Sequence, residues 1–249
     1  MSRSFVLVHS PLVGPATWAA LVPELEQRDQ RAFAPDIDGD EHDPTPLWQQ
    51  HVYAAAAALG SAGPDAFLVG HSGAGPLLPA IHEAAAVSVA GYIFVDAGLP
   101  SAGARKEQGA FAKHLDAMHA AGRRFPEWND DVLRDVVPDD ARRRDLLAQL
   151  RPQPARFWDE EIPMFDGWPD ARCGYLRFAP NPSYDEPAAE ARRRAGRIAS
   201  SRPGTSTCSS IPQPSRTPCS PSPRKWSRLR VRRSWARPPP PDRERVGAR

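Results

Sequence analysis

The segment Phe67-Leu68-Val69-Gly70-His71-Ser72-Gly73-Ala74-Gly75 restricts the fold more than any other stretch of the chain. An apolar strand leads into it, and a helical pattern runs from Gly73 to about Ala86. A chain that turns from strand to helix this sharply holds its central residue in strained backbone, which requires small residues two positions before and after. Gly70 and Ala74 stand at those positions. The turn lifts the Ser72 hydroxyl above the strand end and puts the Gly73 N–H at a helix start, where it can stabilise developing negative charge. The bland alternative is a glycine-rich turn with an incidental serine, and the strand before it and helix after it argue against that.

Short β-rich runs alternate with helical patterns elsewhere, the mark of βα units and a mostly parallel sheet. Strands are expected at Phe5 to Val8, Ala32 to Ile37, Phe67 to Val69, Gly91 to Val95 and Cys173 to Phe178. Helices are expected at Ala16 to Arg28, Leu47 to Leu59 (stopping at Gly60), Gly73 to Ala86 and Asp185 to Arg194. Between them, residues 99–170 read as a helical cap rich in Arg, Asp and Glu. The core is then residues 1–98 and 171–196, with residues 197–249 a disordered tail of Ser, Pro and Arg that cannot bury enough apolar surface to offset its chain entropy.

The formal charge of +2 hides a sharp division. From Arg197 onward there are 12 Arg and 1 Lys against 2 acids, a net +11, which leaves the body at −9. The basic run Arg228 to Arg237 binds polyanions only through charge, so no specific nucleic-acid partner is expected. The three cysteines, Cys173, Cys208 and Cys219, form neither a disulfide framework nor a CxxC metal site, which points to a reducing, cytoplasmic setting. No apolar run approaches the roughly 20 residues that span a bilayer, so no membrane partner is expected.

Phe5 to Trp18, FVLVHSPLVGPATW, together with VGHSGAG, YIFVDAG and CGYLRF, resembles the single-domain α/β hydrolases that include plant methylesterases and hydroxynitrile lyases. The resemblance covers about four-fifths of the chain. It implies the α/β-hydrolase fold with a helical cap, Ser72 as nucleophile, a small-molecule ester or related acyl substrate, and no cofactor. A cofactor-free lyase of the hydroxynitrile type is the alternative chemistry within the same resemblance.

The chain departs from that pattern at three places. The family usually has His-Gly at the loop after the first strand and uses the next backbone N–H as an oxyanion donor. Here the loop reads His9-Ser10-Pro11, and proline has no N–H, so Leu12 N–H or the Ser10 hydroxyl must replace it. His9 itself reads as a loop organiser. The acid that would orient a base has two candidates: Asp96, closing the strand Gly91 to Val95, and Asp185, at a helix start just beyond Asn181, which occupies the usual place. Either could instead be structural, Asp96 closing a strand and Asp185 capping a helix.

The third departure is the base. No histidine follows His119, whereas the fold carries its catalytic imidazole after the last strand. His71 lies inside the turn and points away from Ser72, while His114 and His119 read as surface residues of the cap. The tail accounts for the loss. Read one base out of phase, with synonymous codons chosen freely, Ala199 to Pro223 yields ELPAGHFHMLVDPAAVADALLALA. This is a strand end, a histidine-bearing loop and an amphipathic helix, with the histidine over the codons of Gly204 and Thr205. The closing strand and helix are therefore expected to be missing, and a non-catalytic product of the same fold competes with an active enzyme.

Overall fold

The computed structural model describes residues 2–101, 109–178, 182–195 and 199–200. Among the described residues six strands form one parallel sheet: β1 (Ser4–Val8), β2 (Arg31–Phe33), β3 (Ala66–Ser72), β4 (Val89–Ala97), β5 (Cys173–Arg177) and the two-residue β6 (Ala199–Ser200). Their order is β2-β1-β3-β4-β5-β6. The chain leaves β1 for β2 on one side, then crosses to β3 on the other. The strand order therefore reverses at β1, and the carboxyl edge at such a switch point is where open parallel sheets bind their ligands.

Period-two alternation divides the strands between two faces. Val6, Val8, Leu68, Tyr92, Phe94 and Tyr175 join the larger core with α2 (Leu47–Ala62), α3 (Leu78–Ala85) and α7 (Asp185–Ala195). Leu7, Val69 and Val95 face the other way, onto Trp18 and α1 (Leu21–Glu26), with Phe5, Phe67, Ile93, Leu176 and Phe178 only half-buried around them.

Prolines correct the expected helices. The run Ala16 to Arg28 is two pieces, a 3-10 turn Pro15–Trp18 and then α1. A continuous helix would need Pro23 to donate to Ala19; restarting at Leu21 puts Pro23 in a first turn, where no donor is required. The run Gly73 to Ala86 likewise becomes a 3-10 turn Gly75–Leu77 and α3, with Pro76 and Pro79 near the two starts. β2 ends at Phe33, short of Ile37, because Pro35 cannot donate to the ladder. α2 passes through Gly60 and stops at Gly63, whose φ of +82° suits glycine. β3 and β4 are longer than the apolar runs suggested.

The cap contributes α4 (Gly109–Ala120), α5 (Asp130–Leu133), α6 (Asp140–Leu147) and the 3-10 turn Ala155–Trp158. Arg143 is buried there, bonded to Asp130, Asp140 and the Val137 carbonyl. The cap also grips the core. Pro46 offers no side-chain cap to α2, and the Glu160 carboxylate supplies one, accepting from Leu47 and Trp48 N–H at 2.8 Å each. Of the closing strand expected to be missing, β6 is present as a two-residue pairing, Ala199 beside Leu176 and Ser200 beside Arg177. The rest of the tail, including the positions of the out-of-phase histidine, lies outside the described residues.

Candidate active site

Ser72 is the last residue of β3 and has φ of +54°, a left-handed conformation rare for a residue with a side chain. The ladder to β4 shifts register between His71 and Ser72, so Ser72 pairs with Ala97. Gly98 N–H donates to the Ser72 carbonyl at 3.2 Å, and Ala74 N–H to that of His71 at 3.0 Å. These bonds hold the strained residue in place. A Cβ at Gly70 would come 2.9 Å from Leu78 Cδ2, so a larger residue there would have to displace the buried Leu78 side chain. Gly75, not singled out from the sequence, is tighter still: its Cβ would overlap the Gly98 carbonyl oxygen.

The loop after β1 is built around His9, which is fully buried. Its Nε2 accepts from Ile37 N–H at 3.2 Å, so the proton resides on Nδ1, which donates to the Ser10 carbonyl at 2.9 Å. Burial holds its pKa below the usual histidine value, outweighing the nearby Asp36 carboxylate, which Arg151 holds in a two-pronged pair. This is a loop-organising histidine. The two candidates for the second oxyanion donor meet each other, Leu12 N–H reaching Ser10 Oγ at 3.4 Å. Ser10 therefore accepts there, and its own hydrogen remains to be directed elsewhere.

A segment of the cap between α6 and the 3-10 turn Ala155–Trp158 templates this loop. Ala16 N–H donates to Gln149 Oε1 at 2.8 Å, Arg151 N–H to the Leu12 carbonyl at 2.9 Å, and Gln153 Nε2 to the Pro11 carbonyl at 2.7 Å. Gly14 lies so close to Gln149 that a Cβ would approach the Gln149 Cβ to 2.9 Å. Leu12 packs against an apolar group of Leu47, Leu115, Phe157, Trp158, Phe111 and Phe125. Trp158 thus belongs to the cap core beside the site, and Trp128 adds an edge contact to Phe125. Trp168 packs instead on Tyr92 and Phe94 of the sheet.

The acid candidates differ in setting. Asp96 is 4% exposed, has φ of +37°, and accepts from Phe178 N–H at 2.9 Å, tying the carboxyl ends of β4 and β5 together. It directly precedes Ala97, the register partner of Ser72. Tyr175 secures that end, its hydroxyl donating to the Ala97 carbonyl at 2.9 Å and accepting from Ala97 N–H at 3.1 Å. Asp185 is exposed, begins α7 and pairs with Arg177.

The histidines fall elsewhere. His71 lies edge-on to Trp18 at 6.0 Å on the opposite face of the sheet, with Nδ1 buried and unpaired, and burial pushes its pKa down to about 4, helped by His9. His114 is exposed as expected, but His119 is half-buried, with its Nε2 enclosed and unpaired. Among the described residues, the hydrogen-bond partner of Ser72 Oγ is the Tyr184 hydroxyl, at 2.6 Å. Sequence reasoning missed Tyr184. Its signal was slight, a hydroxyl-bearing aromatic just before the Asp185 helix start, in a loop that a parallel sheet delivers to its carboxyl edge. Cys173 offers no rival nucleophile, since burial pushes its thiol up to about 12.

The parallel sheet, its reversal of strand order at β1 and the left-handed serine turn are those of the α/β-hydrolase fold, and solved structures agree. An extracellular α/β-hydrolase from a Paenibacillus species, described as sharing structural and functional homology with tobacco salicylic acid binding protein 2, superposes with a TM-score of 0.65 at 18% identity. The match covers 80% of this chain and 90% of that one. Polyneuridine aldehyde esterase gives 0.60 at 16% identity, covering 81% of this chain and 91% of its own. A pyrethroid hydrolase from Sphingobium faniae gives 0.58 at 20% identity, covering 86% and 94%. No protein-family model and no curated protein matches the sequence. Among the described residues no helix is long and apolar enough to cross a membrane.

Proposed function

We propose that the chain is a serine hydrolase acting on an ester or related acyl bond of a small molecule, with Ser72 as nucleophile. The observation that carries this is the left-handed Ser72, half-buried at the carboxyl end of a central parallel strand, where its hydroxyl meets that of Tyr184. The esterase and hydrolase neighbours support the same reading. Gly73 N–H serves as one oxyanion donor, and the buried Ser10 hydroxyl, or Leu12 N–H, as the other. Asp96, buried at the carboxyl end of β4, is the better acid for orienting the restored histidine, whereas Asp185 is exposed and paired with Arg177. Attack by Ser72 Oγ forms an acyl-enzyme and releases the alcohol, and water then releases the acid. A fluorophosphonate probe tests this on the full chain: labelling that disappears in Ser72→Ala supports it, and labelling indifferent to that change refutes it.

Residues 197–249 are read as the product of a shifted frame, supported by the charge break at Arg197 and by the out-of-phase translation that restores a histidine. Nucleotides across codons 190–249 that forbid that translation would refute it. The frame-corrected protein should hydrolyse esters on the order of 10³-fold faster, a gain that Ser72→Ala removes.

A further inference from the structure

We propose that in this chain Tyr184, as its phenolate, is the proton acceptor for Ser72. The inference rests on Ser72 being the nucleophile and goes beyond it by naming the base. Tyr184 Oη lies 2.6 Å from Ser72 Oγ, the distance over which a hydroxyl proton passes directly. The ring is also firmly delivered. Tyr184 ends the 3-10 turn Pro182–Tyr184 and leads straight into α7, whose Ala188 and Ala191 are buried in the main core. Asp185, the next residue, is pinned to Arg177 at the end of β5. The position a base requires is therefore held by a phenol, in a sequence whose histidines all precede residue 120.

The chemistry balances. As Ser72 Oγ bonds to the acyl carbon, its proton passes to the Tyr184 phenolate. The departing alkoxide recovers that proton and leaves as the alcohol. Water then attacks the acyl-enzyme, giving one proton to Tyr184, which returns it to Ser72 as the carboxylic acid separates. A base that must be a phenolate becomes available as the phenol ionises, so the reaction climbs with rising pH.

The test is the rate at which a fluorophosphonate labels the full chain between pH 6 and 10. In that step the Oγ–P bond forms, fluoride leaves and the proton goes to Tyr184. The ratio of the native rate to that of Tyr184→Phe should grow with pH, reaching at least 10-fold by pH 10, with unchanged thermal melting. Biosynthetic fluorotyrosine, more acidic than tyrosine, should move the rise to lower pH; this arm decides the matter if Tyr184→Phe fails to fold. Equal or faster labelling of Tyr184→Phe at pH 10 overturns the proposal, as does a loss that is the same at every pH, which would mark Tyr184 as a simple hydrogen-bond donor. In either case labelling that still depends on Ser72 leaves the hydrolase reading standing, whereas labelling of Ser72→Ala removes both.

Discussion

A single methyl group, added at Gly75 or at Gly60, should have opposite effects. At Gly75 the new Cβ overlaps the Gly98 carbonyl and lies 3.0 Å from Ala97 Cβ. The backbone there is not left-handed, so the obstacle is purely steric. Relief requires the β4 end to retreat, and that end donates the Gly98 N–H to the Ser72 carbonyl. Overpacking of a tight backbone contact costs roughly 3 kcal/mol, at the upper end of the usual range. In a chain of this size that lowers Tm by about 6–12 °C. Gly60 is exposed within α2 and a Cβ there meets nothing within 4 Å. Alanine at that position should stabilise by about 0.5–1 kcal/mol through helix propensity and a less flexible unfolded chain. Thermal melts of both variants, with fluorophosphonate labelling in parallel, make the comparison. Gly75→Ala should melt lower and label more slowly, and Gly60→Ala should melt slightly higher and label normally. A Gly75→Ala protein that melts and labels like the native one would falsify the claim that packing at the β4 end holds Ser72 in its strained turn.

Acid should weaken the fold through His71: with a folded pKa of about 4 against an ordinary ~6.5, the unfolded chain binds more protons between those values. Stability therefore falls as pH drops from about 6.5 to 4, by up to about 3 kcal/mol, and urea midpoints of His71→Gln should be visibly flatter over that window. Glu160→Ala should cost about 1–2 kcal/mol and speed amide exchange at Leu47 and Trp48, which lose their shared acceptor; unchanged exchange at both would show that water replaces the carboxylate without loss. Among the described residues α1 is the helix packed on the Leu7, Val69 and Val95 face, and the half-buried Phe67, Ile93, Leu176 and Phe178 should make the chain bind hydrophobic dyes and self-associate. A monodisperse monomer with a sharp thermal transition would count against that.

The serine turn was legible because strand, small residues and helix lie within nine consecutive positions, and local sterics dictate each of them. The parallel sheet followed from alternation alone. Helix limits were misjudged where Pro23, Pro76 and Pro79 lie inside an otherwise good apolar period, since the pattern of burial continues while the hydrogen-bond ladder does not. Gly75 carries no local signal because its constraint comes from Gly98, just past the end of β4. Tyr184 and Glu160 carried little readable signal for a related reason: each acts on groups 112 or 113 residues away, and little in its own neighbourhood announces the partner.

The loop after β1 has a kinetic consequence. Its hydrogen bonds to Gln149 and Gln153 span 133 and 142 residues, so most of the described chain must be in place before that loop acquires its final shape. Contacts that close such long loops cost chain entropy before they return any stabilisation, and they form late. On a ribosome, the sheet from β1 to β4 can assemble while the loop after β1 is still unsettled, and competence to react should arrive only after the cap has been synthesised and docked. Pulse-labelling of stalled nascent chains with the fluorophosphonate should show no reactivity before the cap has emerged, and a step once Tyr184 and α7 have followed it.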